Sequence, residues 1–166
     1  MGLFSNQNTD RRPTYYFNHI SGLPGMSQWQ QLKVVFDMYN KELVITGKGS
    51  SSVSRLKLKQ VVSCGVVKSQ DIQNAGNRAL GMAVAGGLLF GDTGAIVGSI
   101  IGSTKSKAKK NVDCFILNYE PQSAPGTANT IVFEVPEGSL AGSYLWENLR
   151  PYCKSKPITT TSNSYL

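Results

Sequence analysis

The stretch "QLKVVFDMYNKELVIT", residues 31–46, sets the period on which the fold is built. Leu32, Val34, Phe36 and Met38 fall on one side of an extended chain, with Lys33 and Asp37 on the other. Successive side chains of a strand point to opposite faces, so this period of two predicts a buried face and a solvated one. "YNKE" supplies turn residues and "LVIT" the returning strand, which together make a hairpin. The same period recurs further along the chain. In "RLKLKQVV", Leu56 and Leu58 point inward while Arg55, Lys57 and Lys59 point to solvent. "VDCFILNY" and "NTIVFEV" read as two further strands, separated by the Pro/Gly loop "EPQSAPGTA".

Near the C-terminus the period changes. In "SLAGSYLWENLRPY", Leu145 and Leu149 lie one helical turn apart and Trp146 flanks them, so these three form the core-facing stripe of an amphipathic helix. Ser139 is placed to cap its start and Pro151 to end it near Arg150. The expectation is a mainly β fold: a small curved sheet or barrel closed by one C-terminal helix. Residues 1–13 and 154–166 are polar and read as a flexible arm and tail.

Against this background "RALGMAVAGGLLFGDTGAIVGSIIGSTKSKAKK", residues 78–110, stands apart. Ala79, Ala83, Gly87 and Gly91 recur every four residues, as do Gly94, Gly98 and Gly102. On a helix this spacing lines one face. Glycine inside a helix costs about 1 kcal/mol relative to alanine, and close packing of a second backbone is the usual compensation. "GDTG" breaks the run and offers Asp92 or Thr93 as an N-cap, giving a helical hairpin over residues 70–110. Each arm, roughly 12 residues and roughly 18 Å long, falls short of a hydrocarbon core of about 30 Å. One continuous helix would bury Asp92 in mid-bilayer, at about 3 kcal/mol. Three fates remain for the apolar outer faces: contact with copies of the same chain, a dip into one leaflet with Lys105, Lys107, Lys109 and Lys110 on anionic headgroups, or packing back onto the β core.

The strand order, the terminal helix and its Trp146 resemble the pleckstrin-homology-like (PH-like) barrel over Thr14 to Cys153. "GGLLFGDTGAIVGSIIG" followed by lysines is similar to the signature of small bacterial and phage proteins in which such a barrel carries a glycine-zipper helical hairpin as an insertion. That resemblance implies a PH-like domain at residues 14–153, interrupted at 70–110, α+β overall. It implies architecture more than activity.

The chemistry-bearing residues point away from catalysis. His19 is the one histidine and has no Cys or carboxylate at metal-ligand spacing. Neither GxSxG, HExxH nor a P-loop occurs, so no catalytic residue, metal site or cofactor is expected. Cys64, Cys114 and Cys153 are widely spaced and no signal-peptide pattern precedes them; they read as reduced thiols of a cytoplasmic protein, with the inner face of the membrane within reach of the hairpin. "MGLFSN" misses the myristoylation pattern at Asn6. The net charge of +7 favours acidic partners, yet Arg55, Lys57 and Lys59 lack interleaved aromatics, which argues against nucleic acid. The region of the first hairpin carries only Lys33, too few cations for an inositol-lipid site. Tyr15, Tyr16, Trp29 and Tyr39 are core or protein-binding aromatics. The expected function is a non-enzymatic binding or scaffold module that self-assembles, associates with the membrane, or both, and meets an unidentified protein partner. The alternative is a phage-encoded antagonist of a host or defence protein.

Overall fold

The computed structural model describes residues 12–71, 83–85, 88–90 and 111–154. Its strands are β1 (Thr14–Ser21), β2 (Gln31–Asp37), β3 (Glu42–Gly47), β4 (Val53–Lys57), β5 (Val61–Lys68), β6 (Ala83–Ala85), β7 (Leu88–Phe90), β8 (Asp113–Tyr119) and β9 (Asn129–Glu134). Among the described residues, the α-helix α1 (Ala141–Leu149) follows the strands, and residues 69–71 after β5 are also helical. Seven strands form one sheet in the order β4-β3-β2-β1-β9-β8-β5, every neighbour antiparallel.

This order has a mechanical consequence. In a flat sheet the outermost strands would lie about 29 Å apart, at about 4.8 Å per step. Those two strands, β4 and β5, are consecutive in the chain, joined by the 3₁₀ turn Leu58–Gln60. From Lys57 to Val61 there are four Cα–Cα steps, at most about 15 Å. The sheet therefore rolls until its edges approach. No ladder links β4 to β5, so the expected closed barrel is an open roll. "RLKLKQVV" is likewise two strands around a corner: Leu58 is buried in the turn itself. The corner is fastened on two sides. Lys57 N–H donates to Gln60 Oε1 (3.0 Å), and Gln60 Nε2 donates to the Glu120 carbonyl (3.1 Å).

The inner face of the roll is the core. Phe17, Phe115 and Phe133 stack with ring centroids 5.2–6.3 Å apart, surrounded by Leu32, Val34, Phe36, Leu43, Ile45 and Leu56. Leu145 and Leu149 of α1 complete it, both fully buried; Trp146 packs at the margin with the Arg150 guanidinium 5.3 Å from its ring centre. Gly142 lets the helix approach, because a Cβ there would meet Val135 and Val66 methyls at 3.0 and 3.1 Å. Ser139 Oγ accepts from the Ala141 N–H (3.1 Å). The α-helix ends at Leu149 with Arg150 as its cap, as expected from Pro151, which itself sits at the first positions of a following 3₁₀ turn, Arg150–Tyr152, where an amide donor is not needed.

Two side chains of the opening hairpin depart from the alternation. Met38 lies beyond the end of β2 and is 54% exposed, while Asp37 is buried. Asp37 holds the turn by accepting from the Asn40 backbone (3.0 Å) and side-chain (2.8 Å) amides and from Arg12 (2.8 Å). Those hydrogen bonds, the Asn40 backbone first, keep its carboxyl below the usual range. Opposite it, buried Glu42 accepts from Lys57 (2.7 Å) and Arg55 (2.6 Å), and Lys57 chiefly lowers its pKa. Both ionised carboxylates therefore support the hairpin above the unfolded carboxylate pKa of about 4, and that support is lost as pH falls through the lower folded values. Arg12 and Pro13, assigned to the arm by composition, are tied to β2, since the Phe36 N–H donates to the Pro13 carbonyl (2.9 Å).

The strands β5, β8 and β9 are buried on both sides. Opposite the aromatic core they place Gly65, Ile116 and Val132 in one row and Ser63, Asn118 and Thr130 in the next. All six are shielded from solvent. The polar row satisfies itself: Thr130 Oγ1 donates to Asn118 Oδ1 (2.7 Å), and Asn118 Nδ2 donates to Ser63 Oγ (2.9 Å).

At the end of β1 the chain turns through Gly22, whose φ is +95°, and a Cβ there would fall 2.1 Å from the Thr130 carbonyl oxygen. Gly22→Ala should cost about 3 kcal/mol, because it strains φ and pushes β1 from β9. Gly49→Ala, at φ +74° with nothing within 4 Å, should cost about 1 kcal/mol. Urea melts of the two variants check the difference.

Candidate functional site

The glycine-rich stretch leaves the sheet after β5 and rejoins it at β8, and these two strands are antiparallel neighbours. Its two ends therefore meet. Ser69 N–H donates to the Val112 carbonyl (2.8 Å), and Val112 N–H returns a bond to Ser69 Oγ (3.1 Å). Asn111 Oδ1 accepts from the Gln70 amide (3.1 Å) and the Ser69 hydroxyl (3.4 Å). Lys68 and Asp113, paired in register, add a salt bridge of 2.7 Å. That pair is about half exposed on both sides and contributes ~0.5 kcal/mol or less. The buried Ser69 is the tighter fastening. Sequence reasoning passed over this clasp, although Ser and Asn beside strand ends are the residue types that bind nearby backbone.

Within the stretch the structure describes two short strands. Ala83 pairs with Phe90, Val84 with Leu89 and Ala85 with Leu88, and β7 lies beside β5. A helix was the expectation for Ala83 and its neighbours; in these triplets the backbone is extended instead. The sequence holds the reason. Gly86 and Gly87 separate the triplets, two consecutive helix-weakening residues that belong to the preferred composition of a two-residue hairpin link. Ala79, Gly87, Gly91, Gly94, Gly98 and Gly102, with Lys105, Lys107, Lys109 and Lys110, lie outside the described residues, as do the GDTG break and most of the arm and tail.

Elsewhere the candidate side chains have structural work. His19 Nδ1 donates to the Ser27 carbonyl (2.9 Å) while its Nε2 accepts from the Leu23 N–H (3.3 Å), a neutral ring that organises the loop between β1 and β2. Arg55 and Lys57, two of the three cations of the basic stripe, neutralise Glu42. Tyr15 is buried and its hydroxyl accepts from Asn148, tying α1 to β1. Tyr16, Trp29 and Tyr39 are on the surface, with Tyr39 86% exposed. Cys64 and Cys114 are buried in strands. Among the described residues no three metal-binding side chains converge, and no helix is long and apolar enough to cross a membrane.

An open antiparallel roll, a C-terminal helix on its core and a glycine-rich stretch held between two of its strands define the architecture. The family model "Glycine zipper containing PH domain" matches residues 24–119, from the first loop through β8. The chain belongs to this family. No curated protein and no solved structure matches the chain. Membership makes the fold a PH-like domain and the stretch after β5 a glycine zipper, and the clasp is where the two are joined in this PH-like domain.

Removing the Ser69 hydroxyl leaves the Val112 N–H without its acceptor, so Ser69→Ala should cost about 1–2 kcal/mol. Hydrogen exchange should speed at Val112 and stay slow in β2 and β3, as the clasp is local to β5 and β8.

Proposed function

We propose that the chain is a non-enzymatic binding and scaffold module, in which the PH-like roll is a rigid platform and the glycine zipper is the associating element. One observation carries the proposal. The segment at residues 70–110 is carried on the sheet by one clasp, at which both of its ends are fixed. A segment fastened at both ends to one place on a sheet can be presented as a unit to a partner. On a helix, the four-residue spacing of Gly94, Gly98 and Gly102 would let backbones approach closely, joining copies of the chain. Lys105, Lys107, Lys109 and Lys110 follow the last of these glycines and would rest on an anionic membrane surface. The exposed Tyr16, Trp29 and Tyr39 are separate anchor points at which a protein partner would dock.

A second reading has an observation of its own. The shielded row of Gly65, Ile116 and Val132 on the outer side of the sheet needs a cover, and the glycine zipper begins and ends on strands of that side. Under this reading the zipper packs back over the roll within one chain.

Light scattering of the variant carrying Gly87, Gly91, Gly94 and Gly98 all changed to Leu separates the two. Self-association predicts smaller particles or precipitation; packing within one chain predicts an unchanged mass and a lower melting temperature. Changing the four lysines to Ser should weaken binding to anionic vesicles about 100- to 1000-fold, at about 1 kcal/mol per lysine, and high salt should imitate the change. A wild type that ignores such vesicles at low salt would remove the membrane from the proposal.

A further inference from the structure

Two of the three cysteines meet. Cys64, buried in β5, has its sulfur 3.5 Å from that of Cys153, which follows the turn after α1 and is half-buried at the margin of the core. They stand 89 residues apart in the chain. A disulfide bond is about 2.05 Å long, so the sulfurs need to close by roughly 1.5 Å, within the reach of small side-chain rotations. Cys153 Sγ also lies 3.6 Å from the Leu149 carbonyl, which holds it at the helix end.

We propose that Cys64 and Cys153 are a redox-active dithiol that small disulfides such as oxidised glutathione convert to a cross-link between β5 and the end of α1. The two thiols have unequal roles. Cys153 is the accessible one, and the hydrogen bond it receives from the Cys64 thiol lowers its pKa. Cys64 is shifted the opposite way, by that hydrogen bond first and by burial second. Cys153 thiolate attacks one sulfur of oxidised glutathione, breaking its S–S bond and releasing one glutathione thiolate. Cys64 then attacks Cys153 Sγ in the mixed disulfide and expels the second glutathione. The protein loses two protons and two electrons; the oxidant gains both as two glutathione thiols. Cys114 stays outside this chemistry, because burial pushes its thiol up to about 12 and it lies on the opposite face of the sheet.

The test treats the folded wild-type chain with oxidised glutathione and maps its cysteines by mass spectrometry under non-reducing conditions. The expected product has lost two hydrogens, contains a Cys64–Cys153 peptide and retains a free Cys114. Its melting temperature should rise by about 5–10 °C and return on adding dithiothreitol. Cys64→Ser should stop at one glutathione on Cys153, whereas Cys153→Ser should take up none. A wild type that keeps a stable glutathione adduct, pairs Cys64 with Cys114, or does not react would overturn the proposal. The wild-type map decides the matter even where a serine variant fails to fold.

Discussion

The short step from Lys57 to Val61 is the constraint on which the fold depends. It makes chain neighbours of the two strands that the hydrogen-bonding order places furthest apart. The sheet must roll, and once rolled it has an inside, where Phe17, Phe133 and Phe115 of the neighbouring strands β1, β9 and β8 face the side chains of β2, β3 and β4. Gln60 and Leu58 hold the corner from either side, one by hydrogen bonds to β4 and the end of β8, the other by burial. The gap between β4 and β5 stays open, and α1 presents Leu145 and Leu149 to the core.

Charge serves this architecture before it serves any partner. A buried carboxylate is tolerated when its lone pairs are met by donors. Asp37 and Glu42 face each other across the β2–β3 pair, each with its own cations and amides, so the positive stripe of β4 has its counter-charge inside the same chain. The lysine run at 105–110 belongs to the glycine-rich segment rather than to the roll.

The parts of the fold legible in the sequence are those written as simple periods. Leu32, Val34 and Phe36 alternate and are buried; Leu145 and Leu149 recur at helical spacing and are buried. The features that escaped depend on contacts distant in sequence. The corner at Leu58 keeps the alternation of β4, so no break in period marks it. Asp37 reads as a solvated residue until its partners Asn40 and Arg12 are in place. "VDCFILNY" and "NTIVFEV" are legible as the strands β8 and β9, but not that these strands and β5 are shielded on both faces. The glycine spacing was legible as a motif, and the family match supports it. At Ala83–Ala85 and Leu88–Phe90, however, strand pairing replaces the expected helix. The meeting of Cys64 and Cys153 follows from where α1 ends on the roll, which no local pattern encodes.

That the roll is a platform for the segment clasped to β5 and β8 is the central claim. Its most direct measurement is made on a chain with residues 70–110 replaced by a short flexible linker across the clasp. Lengthening or shortening a loop changes closure entropy only slowly, so the roll should keep its strand and helix circular dichroism and melt cooperatively. Its mass in solution should be that of one chain. A disordered product, or one that assembles as the full chain does, would contradict the account: the first would place the segment in the core, and the second would move association onto the roll.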